Sequence, residues 1–120
     1  MPTRHLVTGG AGFLGSHLVD RLMKAGGYVY CLDDFSTGRI DNISHWFSDS
    51  GFTLISHDVV EPLFLDIDRI WHLACPASPI HYQKNPVKTS RTCFLGTFNM
   101  LDLAQRSGAR LLLSSSSEVY

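Results

Sequence analysis

The stretch that decides the fold is RHLVTGGAGFLG, residues 4–15, in which a short apolar run leads directly into four glycines. These glycines fit a GxxGxxG spacing through Gly9, Gly12 and Gly15, and a GxGxxG spacing that starts at Gly10. In both registers one glycine makes a tight turn, one lets the backbone approach a pyrophosphate, and Gly15 lets a helix pack on a strand. The helix that follows would present free N–H groups and its positive dipole end to the phosphates. A purely structural turn can have the same composition, so a second signal is needed.

The residues after this loop supply the second half of a dinucleotide-binding pattern. Apolar residues at three- and four-residue steps predict a helix over residues 13–25, which Gly26 stops. Aromatic and β-branched residues predict a strand over residues 28–32. Asp33 closes that strand 18 residues after the last glycine of the loop, where an acid hydrogen-bonds the ribose hydroxyls of adenosine. Because a carboxylate repels a 2′-phosphate, the sequence favours NAD over NADP, although Arg39 is the residue type that would reverse this choice.

Farther along the chain, short strand patterns alternate with one long helical pattern. Strand candidates cover residues 52–56, 69–74 and 110–113. A helix is expected from Pro86, whose fixed φ suits a first turn, to Ser107. This order predicts a doubly wound α/β fold of Rossmann type, in which a parallel sheet with right-handed crossovers is covered by helices on both faces.

The composition excludes several classes of function. The chain has 120 residues, 44% of them apolar, with ten Lys+Arg against eleven Asp+Glu. Its formal charge of −1 gives no large electrostatic footprint, so neither nucleic acid nor a membrane is expected as a partner. No apolar stretch reaches about 18 residues and no signal-peptide layout is visible, so we expect a cytoplasmic protein. Three widely spaced cysteines fit reduced thiols, and six histidines without helical pairs or cysteine spacing predict no metal site.

Four segments together carry a resemblance to a known family. They are the glycine loop with Asp33, HDVVEPL at residues 57–63, HLACPASP at residues 72–79 and SSSEVY at residues 115–120. These segments resemble the extended short-chain dehydrogenase/reductases and, within them, the UDP-glucuronate decarboxylases. The resemblance implies a redox-neutral lyase reaction. NAD+ takes a hydride from C4 of UDP-glucuronate, the 4-keto sugar loses its carboxylate as CO2, and NADH returns the hydride to give UDP-xylose. The cofactor supplies the hard chemistry, and the protein supplies position and charge stabilisation.

The resemblance also implies roles for individual residues. The contacts to NAD would come from Gly9, Gly12, Phe13, Leu14, Gly15, Asp33, Asp34, Thr37, Gly38, Asp58, Val59, Leu73, Cys75, Thr92 and Ser114. The UDP-sugar would be contacted by Leu63, Phe64, Arg91, Asn99 and Arg106. Ser116 would hydrogen-bond the reacting C4 oxygen, because a hydroxyl can donate to a developing alkoxide, and Glu118 would lie beside the sugar for decarboxylation. The alternative is that residues 114–117 simply end a buried strand.

Several positions depart from the family pattern. Cys93 stands where the family usually has asparagine, and Asp102 and Gln105 stand where glycine and lysine are common, which puts tight UDP binding in question. The family's catalytic Tyr-x-x-x-Lys pair would lie downstream of Tyr120, as would the domain that grips the nucleotide sugar. We therefore expect residues 1–120 to be the incomplete N-terminal part of an NAD-binding Rossmann domain, which is inactive alone.

Other interpretations remain open at this stage. Within the same fold, the rivals are a nucleotide-sugar 4-epimerase, which usually lacks an acid at the position of Glu118, and a 4,6-dehydratase, which usually has aspartate at the position of Ser117. From another class, the isolated chain is a non-catalytic NAD-binding module. The resemblance further implies a homodimer for the full-length protein, built on the helix from Pro86 to Ser107.

Overall fold

The five strands of the protein form one parallel sheet. The computed structural model describes residues 2–74 and 86–114. The strands are β1 (Arg4–Thr8), β2 (Tyr28–Asp33), β3 (Phe52–Ser56), β4 (Arg69–His72) and β5 (Arg110–Leu113). The helices are α1 (Phe13–Lys24) and α2 (Pro86–Ser107), and two 3₁₀ turns, Ile40–Asn42 and Ser44–Trp46, lie between β2 and β3.

The strands and helices predicted from the sequence are all present, and they differ only at their ends. β2 includes Asp33, which still pairs with β3. α1 stops one residue early, before Gly26 adopts a φ of +86°, a conformation that favours glycine. β4 ends two residues early, at His72, because the amide of Ala74 donates to the side-chain oxygen of Thr8 (3.1 Å).

The strand order explains where a ligand can bind. The order is β3-β2-β1-β4-β5, and all four pairs are parallel. Thr8, the last residue of β1, is in register with Leu32 of β2 on one side and with His72 of β4 on the other. The strand order reverses between β1 and β4, and open α/β sheets bind ligands in the crevice at the carboxyl ends of such strands. The predicted doubly wound Rossmann-type fold is confirmed.

Each face of the sheet has its own apolar core, because successive side chains of a strand point to opposite faces. Leu6 of β1 belongs to one core and Val7 to the other. The core under α2 consists of Leu6, Leu32, Val59, Ile67, Ile70, Met100, Leu103 and Ala104. The core under α1 consists of Val7, Ala11, Val19, Met23, Val29, Cys31, Ile43 and Phe52. The two helices therefore cover opposite faces.

The direction of α2 is antiparallel to the strands. At its carboxyl end Ser107 Oγ donates to the carbonyl oxygen of Leu65 (2.9 Å), and Gly108 adopts a φ of +69° that turns the chain into β5. The amide of Arg110, the first residue of β5, donates to the carbonyl oxygen of Asp68 (3.1 Å), just before β4. α2 thus ends at the amino-terminal edge of the sheet. Within residues 2–74 and 86–114, neither helix is long and apolar enough to cross a membrane.

Candidate dinucleotide-binding site

The glycine loop, residues 9–15, lies at the carboxyl end of β1, beside the point where the strand order reverses. Gly9 has a φ of +70°, and its amide and that of Gly10 both donate to the carbonyl oxygen of Leu32 (2.8 and 3.2 Å). A Cβ on Gly9 would lie 3.0 Å from the carbonyl carbon and oxygen of Leu73. A Cβ on Gly15 would overlap the carbonyl oxygen of Gly9. These two positions require glycine so that the loop can pack on both β4 and its own helix.

The first turn of α1 is open to a ligand. Gly12 caps the helix without a side-chain hydrogen bond, and the first turn contains no acidic residue. The first amides of a helix lack intrahelical acceptors and carry the positive end of its dipole. A Cβ on Gly12 would meet only the carbonyl oxygen of Gly9, at 3.3 Å, and Phe13 is 82% exposed beside it. Leu14 is 61% exposed. This turn fits the pyrophosphate of a dinucleotide.

Asp33 is buried at the end of β2, directly beside the glycine loop. Only 6% of its surface is exposed. Its Oδ2 accepts the amide of Ala11 (3.0 Å), and its Oδ1 accepts the amide of Phe35 (2.7 Å). A Cβ on Gly38 would lie 2.6 Å from Oδ2, so this residue packs closely against the carboxylate. Each carboxylate oxygen keeps acceptor capacity after one bond, and Asp33 can therefore still accept ribose hydroxyls.

The loop after β2, residues 34–47, is joined to both the glycine loop and α1. Asn42 Nδ2 donates to the carbonyl oxygen of Ala11 (2.8 Å). Asp20 Oδ1, on α1, lies 2.7 Å from His45 Nε2 and accepts the indole N–H of Trp46 (2.6 Å). The predicted adenosine contacts in this loop are Asp34, Thr37 and Gly38. Gly38 packs against the Asp33 carboxylate, and Asp34 Oδ1 accepts the amide and the hydroxyl of Ser36 (3.0 and 2.9 Å). Contact of the three residues with adenosine stays a prediction.

The end of β4 is joined to β1 through side chains. Thr8 Oγ1 lies 2.7 Å from His72 Nδ1, and the same oxygen accepts the amides of Leu73 (3.0 Å) and Ala74 (3.1 Å). His72 is 1% exposed, and burial lowers its pKa from the ordinary 6.5 to about 4. Its Nε2 has no hydrogen-bond partner within the described ranges. A neutral imidazole therefore connects the two strands at the floor of the crevice.

The segment after β3 contacts α2. Asp58 Oδ1 accepts the amide of Val60 (3.1 Å), and Asn99 Nδ2 donates to the carbonyl oxygen of Val59 (2.8 Å). The Val59 side chain is buried in the core, where a Cβ on Gly96 would lie 2.7 Å from its Cγ2. Of the two residues predicted at the adenine, Val59 thus contributes a core side chain. Asn99, predicted at the UDP-sugar, holds this segment on the helix.

The five residues predicted to contact the UDP-sugar do not come together in one chain. Arg91 and Arg106 are 15 residues apart on α2, which is about 22 Å along the helix axis. The Arg106 guanidinium carbon lies 4.9 Å from the centre of the Phe64 ring, and its Nε lies 3.0 Å from Asp102 Oδ2. Leu63 packs against the core under α2. Phe64 and Arg106 therefore lie at the edge opposite the glycine loop, and their contact with substrate stays a prediction.

The remaining predicted residues divide into two groups. Cys75, Ser116 and Glu118 fall outside the described residues. The described ones are Leu73, Thr92 and Ser114. The amide of Ser114 donates to the carbonyl oxygen of His72 (3.1 Å), so Ser114 lies at the carboxyl end of β5, and Thr92 is half-buried in the first half of α2. Their ligand contacts stay predictions.

Sequence reasoning missed Thr8 and His72 as partners. The usable signal is that each is a polar residue directly after an apolar strand run, and polar residues that end neighbouring parallel strands meet at one edge of a sheet. From the sequence, His72 could be assessed only as one of six possible metal ligands. The strand pairing that brings it to Thr8 is a long-range feature that the sequence does not reveal. The hydrogen bond from Asn42 to Ala11 could not be predicted from the sequence, because it depends on the path of the loop after β2.

Known proteins agree with this architecture. Residues 6–120 match the family model described as GDP-mannose 4,6 dehydratase. The chain belongs to this family, within the extended short-chain dehydrogenase/reductases. The glycine loop and the segments around His57 and His72 predict the extended short-chain dehydrogenase/reductase family. This prediction is confirmed.

Relatives within the extended dehydrogenase/reductases are found among both sequences and structures. UDP-glucuronic acid decarboxylase 2 of Arabidopsis thaliana is 62% identical over 117 residues, which cover 98% of this chain and 26% of that protein. A crystal structure of UDP-galactose 4-epimerase matches with a TM-score of 0.85 and 32% identity, over 98% of this chain and 40% of that one. UDP-glucose 4-epimerase of Thermus thermophilus, in complex with NAD, matches with a TM-score of 0.74 and 30% identity. This match covers 91% of this chain and 36% of the epimerase chain. The chain spans about a quarter of the length of the decarboxylase relative.

Two glycine substitutions should separate ligand binding from folding. In Gly12→Ala the new methyl meets only the Gly9 carbonyl oxygen, at 3.3 Å, so the melting temperature should fall less than in Gly15→Ala while affinity for NAD+ falls by about tenfold or more. In Gly15→Ala the methyl overlaps the Gly9 carbonyl oxygen, so the melting temperature should fall by several degrees. Thermal unfolding and calorimetric titration of NAD+ into the full-length protein check both. Equal effects of the two substitutions on the melting temperature, or an unchanged affinity of Gly12→Ala for NAD+, would contradict this assignment.

Stability should fall as the pH is lowered from 6.5 to about 4. Because the pKa of His72 is about 4 in the folded protein and 6.5 ordinarily, the unfolded chain binds a proton in this window that the folded protein does not. The stabilisation is complete above pH 6.5 and is lost by about 1.4 kcal/mol per pH unit below it. Burial also lowers the pKa of His5, which acts in the same direction. The hydrogen bond from Arg4 lowers the pKa of Asp68, whose contribution is lost only below this window.

Urea unfolding of wild type and His72→Asn between about pH 7 and about pH 4.5 measures this effect. The variant should lose less stability per pH unit, by the equivalent of about one proton. Parallel curves for the two proteins would show that His72 does not titrate as its burial requires.

Proposed function

We propose that this chain is the N-terminal part of the NAD-binding domain of an enzyme that decarboxylates UDP-glucuronate to UDP-xylose. The observation that carries the proposal is the 62% identity to a UDP-glucuronic acid decarboxylase over 98% of the chain. The site geometry supports the cofactor half of the proposal independently. An uncapped helix N-terminus at Gly12 and a buried acid at Asp33 lie side by side, as a dinucleotide requires.

The cofactor would lie along the carboxyl edge of the sheet. The amides at the start of α1 would face the pyrophosphate, and Asp33 would accept the ribose hydroxyls of the adenosine. The buried carboxylate disfavours a 2′-phosphate, and the similarity to an epimerase solved with NAD supports the same choice. Leu73 and Ser114, at the ends of β4 and β5, would border the nicotinamide. When bound, NAD+ would accept the C4 hydride of the sugar and return it after CO2 has left.

The chain's own catalytic residues would act on the sugar. Ser116 would donate a hydrogen bond to the C4 oxygen as charge develops there, and Glu118 would lie beside the sugar carboxylate that is lost. The base that takes the C4 hydroxyl proton would come from a Tyr-x-x-x-Lys pair in the remainder of the protein. We further propose that the enzyme is cytoplasmic and that it has no nucleic-acid or membrane partner.

A nucleotide-sugar 4-epimerase is the second candidate. The structural similarity to UDP-galactose 4-epimerase, with a TM-score of 0.85, favours this candidate. The epimerase and decarboxylase reactions would begin with the same oxidation at C4, so the same cofactor site would serve either one. Glu118 favours the decarboxylase, since an epimerase usually has no acid at this position, and Ser117 argues against a 4,6-dehydratase.

The full-length protein would be a homodimer that pairs through α2. The outward face of this helix carries one apolar stripe of exposed side chains, Val87, Phe94, Phe98 and Leu101. Their spacing of seven, four and three residues puts them on one side of the helix. Exposed apolar patches of this kind mark protein contacts, and a two-fold axis would pack two copies of α2 against each other in opposite directions.

Phe98→Ser should convert the full-length dimer to a monomer, because Phe98 is 61% exposed near the middle of the stripe. Phe47→Ser is the matched control, since Phe47 is 47% exposed and lies in the loop after β2. Sedimentation velocity measures the mass of each variant. A Phe98→Ser protein that remains a dimer would place the contact elsewhere.

The full-length protein, stripped of bound cofactor and supplied with NAD+ and UDP-glucuronate, should release CO2 and UDP-xylose in equal amounts. NAD+ should not be consumed, because the reaction is redox-neutral, and NADP+ should support the reaction poorly. UDP-glucose, which has no carboxylate, is the control substrate and should release no CO2. Formation of UDP-galacturonate without CO2 would contradict the decarboxylase and support the epimerase.

A further inference from the structure

The junction of β1 and β4 contains a polar contact that the proposed reaction does not use. Thr8 and His72 are the last residues of these two strands, and they are paired in register. The strand order reverses here, so this junction forms the floor of the crevice in which such sheets bind ligands. The 2.7 Å separation of Thr8 Oγ1 and His72 Nδ1 is therefore a feature of the binding site as well as of the sheet.

The hydrogen bonds of Thr8 determine which nitrogen of His72 carries the proton. A hydroxyl has one proton to donate and two lone pairs to accept with. The amide of Ala74 donates to Thr8 Oγ1 (3.1 Å), and the amide of Leu73 is shared between Thr8 Oγ1 (3.0 Å) and the Thr8 carbonyl oxygen (3.2 Å). These two donors face the two lone pairs of the hydroxyl oxygen. The hydroxyl proton is then left for His72 Nδ1, which must be an unprotonated acceptor. A proton on Nδ1 would bring a third donor to an oxygen that has no lone pair free.

This network fixes the backbone on which the glycine loop rests. A Cβ on Gly9 would lie 3.0 Å from the Leu73 carbonyl group and 3.2 Å from the Cα of Ala74. Any shift of residues 73–74 toward β1 would therefore push Gly9, and any shift away would leave the loop unsupported. The carbonyl oxygen and the hydroxyl of Thr8 both bind the Leu73 amide, and the hydroxyl alone binds the Ala74 amide. The Thr8 hydroxyl therefore helps to set this distance, and His72 sets the direction in which the hydroxyl points.

We propose that His72 is a positioning residue for the dinucleotide site, acting as a neutral imidazole with its proton on Nε2. It orients the Thr8 hydroxyl, which in turn holds residues 73–74 against Gly9. The inference rests on the proposed function only in taking NAD+ as the ligand. The burial of His72 fits this role. Its Nε2 has no partner in the described part of the chain, so the one polar contact of the ring within that part is the contact with Thr8.

The protonation state is tested directly by nuclear magnetic resonance of the ¹³C,¹⁵N-labelled full-length protein, with the His72 ring assigned through bonds from its own backbone signals. At neutral pH the two-bond ¹H–¹⁵N correlations should show a proton on Nε2 and none on Nδ1. A ring with its proton on Nδ1, or with both nitrogens protonated, would overturn the proposal. This measurement uses wild type, so it holds even if a variant fails to fold.

The positioning role is tested by the affinity of substituted proteins for NAD+. His72→Leu removes one bond to the Thr8 hydroxyl and should weaken binding by about tenfold, whereas Thr8→Val removes all three and should weaken it by about tenfold or more. The double variant should be no weaker than about twofold beyond Thr8→Val, because His72 acts only through the hydroxyl that this substitution removes. Thr8→Ser keeps the hydroxyl and His72→Asn places an amide oxygen near the position of Nδ1, so both should stay within about threefold of wild type.

The outcomes separate this inference from the proposed function. A wild-type protein that binds no NAD+ would overturn the cofactor assignment itself. If wild type binds but the losses of the two single variants multiply in the double variant, His72 does not act through Thr8. Melting temperatures that fall while affinity for NAD+ is unchanged would reduce the network to a structural role and overturn the proposal.

Discussion

The close approach of Gly9 to the backbone of residues 73–74 is the contact on which the arrangement of this protein depends. The gap between them leaves no room for a side chain, and the φ of +70° at Gly9 turns the chain immediately after β1. α1 therefore starts at Phe13, close above the sheet, and Gly15 settles onto the Gly9 carbonyl group. A larger residue at either position would lift the helix and remove its first amides from the crevice.

Asp33 transmits this geometry to the next loop. Its two oxygens bind amides from both sides, Ala11 of the glycine loop and Phe35 of the loop after β2. The carbonyl oxygen of Ala11 in turn accepts Asn42 Nδ2 (2.8 Å) and the amide of Arg39 (3.0 Å). The two loops are therefore joined by two direct hydrogen bonds and, through Asp33, by an indirect link. The acid that would recognise ribose thus also assembles the pocket in which ribose would lie. Its loss would cost structure and recognition together, which is why substitutions in the glycine loop separate the two effects more cleanly.

The elements of the fold could be predicted because their signals are local. Periodic apolar residues and flanking glycines mark α1, and Asp33 falls at a fixed distance from the loop. The contact between Thr8 and His72 joins residues 64 positions apart, and it depends on which strand lies next to β1. Alternating strands and helices do not determine that order. The separation of Arg91 from Arg106, in contrast, follows from the predicted helix alone, because 15 residues at about 1.5 Å each cannot bring both to one end.

The distance between Arg91 and Arg106 affects how a nucleotide sugar would be bound. Phe64 and Arg106 lie at the amino-terminal edge of the sheet, whereas the glycine loop and the start of α2 lie at the carboxyl-terminal edge. In the proposed dimer, two copies of α2 pack in opposite directions, so the end that carries Arg106 in one copy lies beside the Pro86 end in the other. Arg106 would then approach the crevice of its partner rather than its own. The role that the resemblance implies for Arg106 and its position far from the glycine loop would be compatible in such a pair, and the proposed dimer would then contribute to the site.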